Sequence, residues 1–248
     1  MNNKSITDYP NAPDIESSTW NYATRFDGPV GQWMLRQQID ATRECIAQCL
    51  PNRSDLSVLD VGGGHGQNIA VINELGHHLT IVGSTPDSNE VIKSTVKSGE
   101  VRYDVASLLS LPYEDDSFDV VICYRILSHM ELWQELVGEL TRVARHLVLV
   151  DYPSKRSFNI FSDLFFMLKK GIEKNTRRFG CFSDGEIDAT FRSCGFSRTT
   201  RRRQFFLPMA GHRLIGNLTI SKFTAAIFRN SGLTGLFGSP VIAAFQPN

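Results

Sequence analysis

One feature constrains this chain more than any other: a short apolar strand that runs directly into alternating glycines. Residues 58–67 read VLDVGGGHGQ, with a helix-compatible stretch following to about Leu75. Glycines let a backbone turn tightly and approach a ligand with no Cβ in the way. Gly62, Gly63, Gly64 and Gly66 therefore mark a ligand-binding turn, and the free N–H groups at the head of the next helix favour a negative group. A dinucleotide fingerprint requires GxGxxG and an acid about 20 residues on. Counted from Gly62, the third glycine position falls on Gln67, so that pattern fails.

The rest of the chain continues the strand–helix alternation. SVLDV (57–61), HLTIVG (78–83), EVRYDV (100–105), DVVICYRI (119–126) and HLVLVDY (146–152) read as strands. Helical spacing is predicted over 29–50, 86–97, 131–145 and 183–194, the last opened by Ser183. FSRTTRRRQFFL and SPVIAAF supply two final strands. Such alternation implies an α/β fold: a Rossmann-like, doubly wound, mainly parallel sheet of about seven strands with helices on both faces. Residues 1–50 form an N-terminal arm and lid helix, the arm being loose over 1–18. Residues 51–152 form the binding core. Residues 153–248 complete the same single domain, with a basic, aromatic insertion at 155–180.

Asp60-x-Gly62-x-Gly64-x-Gly66 resembles motif I of the class I S-adenosylmethionine (SAM)-dependent methyltransferases, D/E-x-G-x-G-x-G. YDVASLLSLPYEDDSFDVV (103–121) resembles that family's D-A-x-x-L-P-F-x-x-x-x-F-D-x-V stretch, and FSDGEIDATFRSCGF (182–196) resembles its helix and turn before the last two strands. The resemblance covers roughly residues 55–200. It implies SAM as cofactor, with Asp104 and the amides of Val105 and Ala106 at adenine, and Tyr124-Arg125 at the end of the fourth strand over the cofactor. Residues 22–33 are similar to the cofactor lid of many small-molecule methyltransferases, which puts Tyr22 and Arg25 at the methionine end, Arg25 by pairing its carboxylate. One departure stands out. The second strand of the family usually ends in an acid that takes both ribose hydroxyls, and here Gly83, Ser84 and Thr85 occupy that place.

SAM carries its own activation, so the protein must align an acceptor and exclude water. An O, N or C acceptor can also need a base. His129, in the segment after the fourth strand, is the candidate, with Tyr124 second; no metal ligand set is evident. Aromatic residues within 155–180 and Arg201, Arg202 and Arg203 suit a small hydrophobic or aromatic acceptor bearing an acid or phosphate, or docking on an anionic membrane surface. Net charge is zero, but residues 1–151 carry a balance of −10 and the remainder +10. No base-reading motif supports nucleic-acid binding. Five cysteines without a CxxC pair, and no secretory signal, fit a cytoplasmic protein. Two other readings are a methyltransferase-fold scaffold without catalysis, favoured by the missing ribose acid, and a nicotinamide-dependent dehydrogenase, opposed by Gln67.

Overall fold

A computed structural model describes residues 11–157 and 180–248. Most of the predicted insertion, residues 158–179, lies outside the described residues, as do residues 1–10. Seven strands form one sheet: β1 (Ser57–Val61), β2 (His78–Gly83), β3 (Arg102–Val105), β4 (Phe118–Cys123), β5 (Ala144–Tyr152), β6 (Phe196–Phe205) and β7 (Ser239–Pro247). Their order is β3-β2-β1-β4-β5-β7-β6. The first five are parallel, and β7 runs antiparallel to both β5 and β6. The strand order reverses between β1 and β4, and ligands bind beyond the carboxyl ends of strands at such a switch point.

Strand periodicity builds two cores. Leu59, Val121, Cys123, Val148 and Val150 face one side, under Leu136, Val137 and Leu140 of α6 (Trp133–Val143) and Ile187 and Phe191 of α7 (Asp184–Ser193). Val58, Val120, Ile122, Leu147 and Leu149 face the other, under Ala41, Cys45 and Ile46 of α3 (Gly28–Cys49) and Val71 and Ile72 of α4 (Ile69–Glu74). Successive side chains alternate faces, so a fully covered sheet needs continuous apolar runs, which the strands of the parallel region supply. Phe191 stacks on Phe245 of β7 with ring centroids 3.7 Å apart, locking α7 to the sheet. Gly138 in α6 has open space where a Cβ would go. Gly138→Ala is therefore expected to raise stability by about 0.5–1 kcal/mol, read as a higher thermal midpoint.

Three expectations need correction. The arm is ordered over 14–26: α1 (Asp14–Ser17), α2 (Trp20–Ala23) and a 3₁₀ turn (Thr24–Phe26) precede α3. Asp14, Ser17 and Ser18 are buried. The fourth strand stops at Cys123 rather than running to Ile126, because Arg125 adopts φ +63° and breaks the extended backbone. The stretch 86–97 is a 3₁₀ helix (Pro86–Ile92) followed by α5 (Lys93–Lys97). Between β6 and β7 stand α8 (Met209–Ile215), α9 (Leu218–Asn230) and α10 (Leu233–Phe237), which were not among the expected elements. Among the described residues no helix is long and apolar enough to cross a membrane.

Candidate cofactor and acceptor site

The glycine loop leaves β1 at its carboxyl end, beside β4 and β2. Gly62 has φ +74°, and a Cβ there would lie 2.6 Å from the Ile126 side chain. A Cβ on Gly63 would collide with the Asp60 carboxylate, and one on Gly64 with the Ser88 carbonyl oxygen. The loop is thus packed on both sides, and glycine is required by contact as well as by conformation. Asp60 is buried beneath it and accepts from Asn68 Nδ2 at 2.9 Å. Burial pushes its carboxyl up to about 7, against the pull of Asn68 and Arg125.

Around this loop several buried polar atoms have no hydrogen-bond partner: Asp14 Oδ1, Ser18 Oγ, Gln67 Oε1, Asn68 Oδ1 and Ser84 Oγ. Buried polar groups are normally satisfied, so a cluster of exceptions marks a surface built for a polar ligand. The residues present therefore fit an adenosyl-amino acid cofactor at the methionine and ribose positions.

The outer end of the cleft is less open. Asp104 already accepts from Tyr113 OH at 2.8 Å and from Arg102 Nε at 3.0 Å, though a carboxylate keeps further acceptor capacity. The Ala106 N–H donates to Gly83 O at 3.0 Å, so its expected bond to adenine is taken by the sheet. Val105 is half exposed. Gly83 is covered by the Tyr103 hydroxyl, which donates to Thr85 O at 2.9 Å. Thr85 Oγ1 lies 3.1 Å from Ser88 Oγ, and the Ser84 N–H donates to Asp14.

Tyr124 does not line the site. Its ring is buried on the α3 side of the sheet, with its hydroxyl 3.0 Å from Thr42 Oγ1. The next residue takes its place. With a positive φ, Arg125 turns its guanidinium over the Phe26 ring at 4.3 Å and donates to Gln38 Oε1 at 2.8 Å. Its backbone N–H donates to Asp151 Oδ1 at 2.6 Å. Asp151, at the end of β5, is buried, and burial raises its carboxyl to about 6 although the Arg125 amide and charge oppose this. Sequence reasoning placed Arg125 beside Tyr124 at this strand end but missed Asp151, Gln38 and Asp14. Only Asp151 carried a signal, its place at a strand's carboxyl end. His65 sits edge-on to Tyr22 and Phe26, with centroids 5.7 and 5.5 Å away. Burial, then Arg125, lowers its pKa to about 4, so the ring is neutral at ordinary pH.

A pocket of about 340 Å³ opens over the ends of β4 and β5. Its apolar wall includes Phe26, Met34, Phe205, Phe206 and Met209, and its polar groups include Gln38, Arg125, His129 and Asp151. His129 lines this pocket from the 3₁₀ turn Leu127–His129. Tyr22 and Arg25 also line it, the Arg25 guanidinium 4.5 Å over the Tyr22 ring. Arg213 reaches the same pocket from α8, and partial desolvation and then the Arg25 charge hold its pKa below the usual value. The arginines of β6 have another job: Arg201 and Arg203 pair with Asp184, and Arg202 with Glu44. Their charges are thus already paired within the chain, while the aromatic and basic residues 158–179, on which membrane docking was also expected to rest, lie outside the described residues.

A family model described as "Methyltransferase domain" matches residues 59–147. The chain is similar to an O-methyltransferase, resE of Aspergillus sclerotiorum, at 31% identity over 139 residues, 50% of this chain and 52% of that one. It is similar to the uncharacterized methyltransferase YcgJ of Bacillus subtilis at 30% over 112 residues, 43% of each. The matches thus span about half or less of the length of these curated relatives. Magnesium protoporphyrin IX methyltransferase (ChlM) from Synechocystis PCC 6803, solved with bound S-adenosylhomocysteine (SAH), has the same fold, with a TM-score of 0.62 at 16% identity over 97% of each chain. Residues 59–147 thus match the methyltransferase-domain family by sequence, and the whole sheet has the fold of a solved methyltransferase that binds SAH.

Proposed function

We propose that this protein transfers a methyl group from SAM to a small, hydrophobic or aromatic acceptor that carries an acidic group. One observation carries the reading: the glycine loop, with buried Asp60 beneath it, opens at the same end of the sheet as the pocket walled by Phe26, Met34, Phe205 and Phe206. Arg25 and Arg213 share that pocket, and neither has an ion pair among the described residues; an acceptor carboxylate or phosphate would relieve their mutual repulsion. The described O-methyltransferase and porphyrin methyltransferase relatives support an acceptor that is a small molecule. Free cysteines fit a cytoplasmic location.

In this reading Asp60, Gly62, Gly63, Gly64 and Gly66 hold the methionine end, with Tyr22 and Arg25 closing over it. Gly83, Ser84 and Thr85 border the ribose, and Asp104 and Val105 border adenine. SAM supplies the methyl group on a sulfonium and so brings the leaving group with it. The apolar wall excludes water, and Arg125, fixed by Gln38 and Asp151, shapes the floor. His129 receives the acceptor's proton where the acceptor must lose one.

A second reading, a scaffold of the same fold without catalysis, draws on the contact of Ser18 and Ser88 with Gly64 and on the absent acid at the end of β2. Calorimetric titration with SAH separates the two. The enzyme reading expects micromolar binding, and no heat at millimolar ligand would sink it. Asp60 adds a pH signature. Its carboxyl, raised to about 7, is largely protonated in the free protein below that pH. A cationic ammonium stabilises the carboxylate, so binding releases a proton and affinity falls by up to about tenfold per pH unit below 7. Asp60→Asn should flatten that profile. Titration in two buffers of different ionisation heat counts the protons released.

A further inference from the structure

The end of β2 lacks the acid that the ribose hydroxyls would need, yet the structure brings a carboxylate to that very place from another part of the chain. Asp14, at the start of α1, is fully buried. Its Oδ2 accepts from the Ser84 N–H at 2.7 Å, at the carboxyl end of β2. Its Cβ lies 3.4 Å from where a Cβ on Gly62 would stand, so the side chain rests on the glycine loop. Its other oxygen, Oδ1, is buried with no partner, and Ser18 Oγ and Ser84 Oγ are in the same condition. Among the described residues no Lys, Arg or His forms an ion pair with Asp14.

A buried carboxylate oxygen without a donor is expensive to maintain. A segment whose only task was to fill the cleft would do better with its polar atoms satisfied or replaced by apolar ones. Three unmet atoms from two separate segments, converging beside a glycine loop, point instead to a ligand that brings its own hydroxyl donors. We propose that Asp14 is the ribose-binding acid of this chain, delivered by the N-terminal arm to the position that β2 leaves without one. It accepts from the 2′ and 3′ hydroxyls of the adenosyl group while the Ser84 amide holds it in place. Ser18 Oγ stands 2.5 Å from where a Cβ on Gly64 would be, so arm and loop touch. The arm therefore lies directly on the loop, with Asp14 at the ribose position. This inference rests on the SAM reading and deepens it by naming the ribose partner.

The test compares SAH with its 2′-deoxyribose analogue by calorimetry on the full chain. Wild type is expected to prefer SAH by at least about tenfold, the discrimination a charged hydrogen-bond acceptor gives against an analogue lacking the donor. In Asp14→Ala, SAH affinity should fall by about 10- to 100-fold, and the two ligands should bind within about twofold of each other. Asp14→Asn keeps the shape and the Ser84 contact but not the charge. It should fall between the two, and it carries the test if the alanine variant fails to fold. Asp14→Ala or Asp14→Asn binding SAH as tightly as wild type, or more tightly, would overturn the proposal, the latter showing that the arm merely blocks the cleft. Weaker binding with the ribose preference intact would also overturn it, as a purely structural effect. Wild type that binds neither ligand would retire the SAM reading itself, and this inference with it.

Discussion

Asp184→Ala is expected to lower the free energy of unfolding by about 3 kcal/mol or more, because it strands a buried cation. Asp184 opens α7, and its carboxylate gathers three donors. Tyr152 OH donates at 2.9 Å, Arg203 Nη2 at 2.7 Å, and Arg201 Nη1 joins them. The Arg203 side chain is only 3% exposed. Its other acceptors are neutral: Ser154 Oγ at 3.1 Å and Gly238 O at 3.2 Å. Without Asp184 its charge has no counterion and no access to water. Asp184→Asn keeps the shape and an acceptor but not the charge, and should lose less.

Urea denaturation at several pH values checks both magnitude and cause. Burial pushes the Asp184 carboxyl up, but the Tyr152 hydroxyl and then Arg203 and Arg201 outweigh it and hold it below the usual range. A depressed folded-state pKa contributes stability above the ordinary carboxylate value and loses it as pH falls through the lowered one. The deficit of the alanine variant should therefore be full at neutral pH and shrink in acid. A deficit independent of pH would mean that packing, not charge, is what Asp184 provides. Arg203 also fastens Ser154 and Gly238, neighbours of Pro153 and Ser239 on the pocket wall, so the same variant should weaken acceptor binding.

Gly64→Val should abolish measurable SAH binding, with a loss of at least about 100-fold, equivalent to roughly 3 kcal/mol. The new Cβ would collide with the backbone oxygen of Ser88, and backbone cannot rotate away as a side-chain end can. The 3₁₀ turn Pro86–Ile92 would have to shift, carrying with it Thr85 and Ser88, which border the ribose position. Overpacking of this kind also lowers stability by about 1–3 kcal/mol. Gly62→Ala is the informative contrast. Its Cβ meets the end of the Ile126 side chain, which can move, so its main penalty is the positive φ. Thermal unfolding with and without SAH ranks the two. A Gly64→Val protein that SAH still stabilises as well as wild type would contradict the placement of the cofactor on this loop.

Much of this architecture could be read from the chain because β-strands buried on both faces leave continuous apolar runs. SVLDV, HLTIVG, DVVIC and HLVLV each announced a strand of the parallel region, and the glycines after the first fixed where a ligand would approach. The site was legible where it depends on strand ends and less so where it depends on local backbone. Tyr124 and Arg125 are one residue apart, and a single positive φ decides which of them faces the pocket; the side-chain pattern carries no sign of it. Arg201, Arg202 and Arg203 looked like a surface run. In an extended strand alternate residues face opposite ways, so Arg201 and Arg203 meet Asp184 while Arg202 meets Glu44 on α3. Asp14 was invisible for a different reason: it lies in a polar segment with no period, and only its long-range contact with Ser84 gives it a role. The helices between β6 and β7 were not read, although Ile220, Phe223 and Ile227 of α9 stand at helical spacing; that stripe remains exposed.

The position of β7 between β5 and β6 sets the order in which this sheet can be completed as it is synthesised. Residues 206–238 are made after β6 and before the strand that joins β6 to the sheet. Until β7 emerges from the ribosome, β6 has no strand to pair with. The edge of β5 from Val148 to Tyr152, a run of mostly apolar residues, then presents unpaired amides and carbonyls. An open apolar edge is a template for pairing with another chain. While residues 206–238 are being made, the β5 edge thus lacks the strand that covers it in the finished sheet. Slowing translation across residues 206–238 would lengthen that exposure, while a chaperone holding the β5 edge would shorten its consequences.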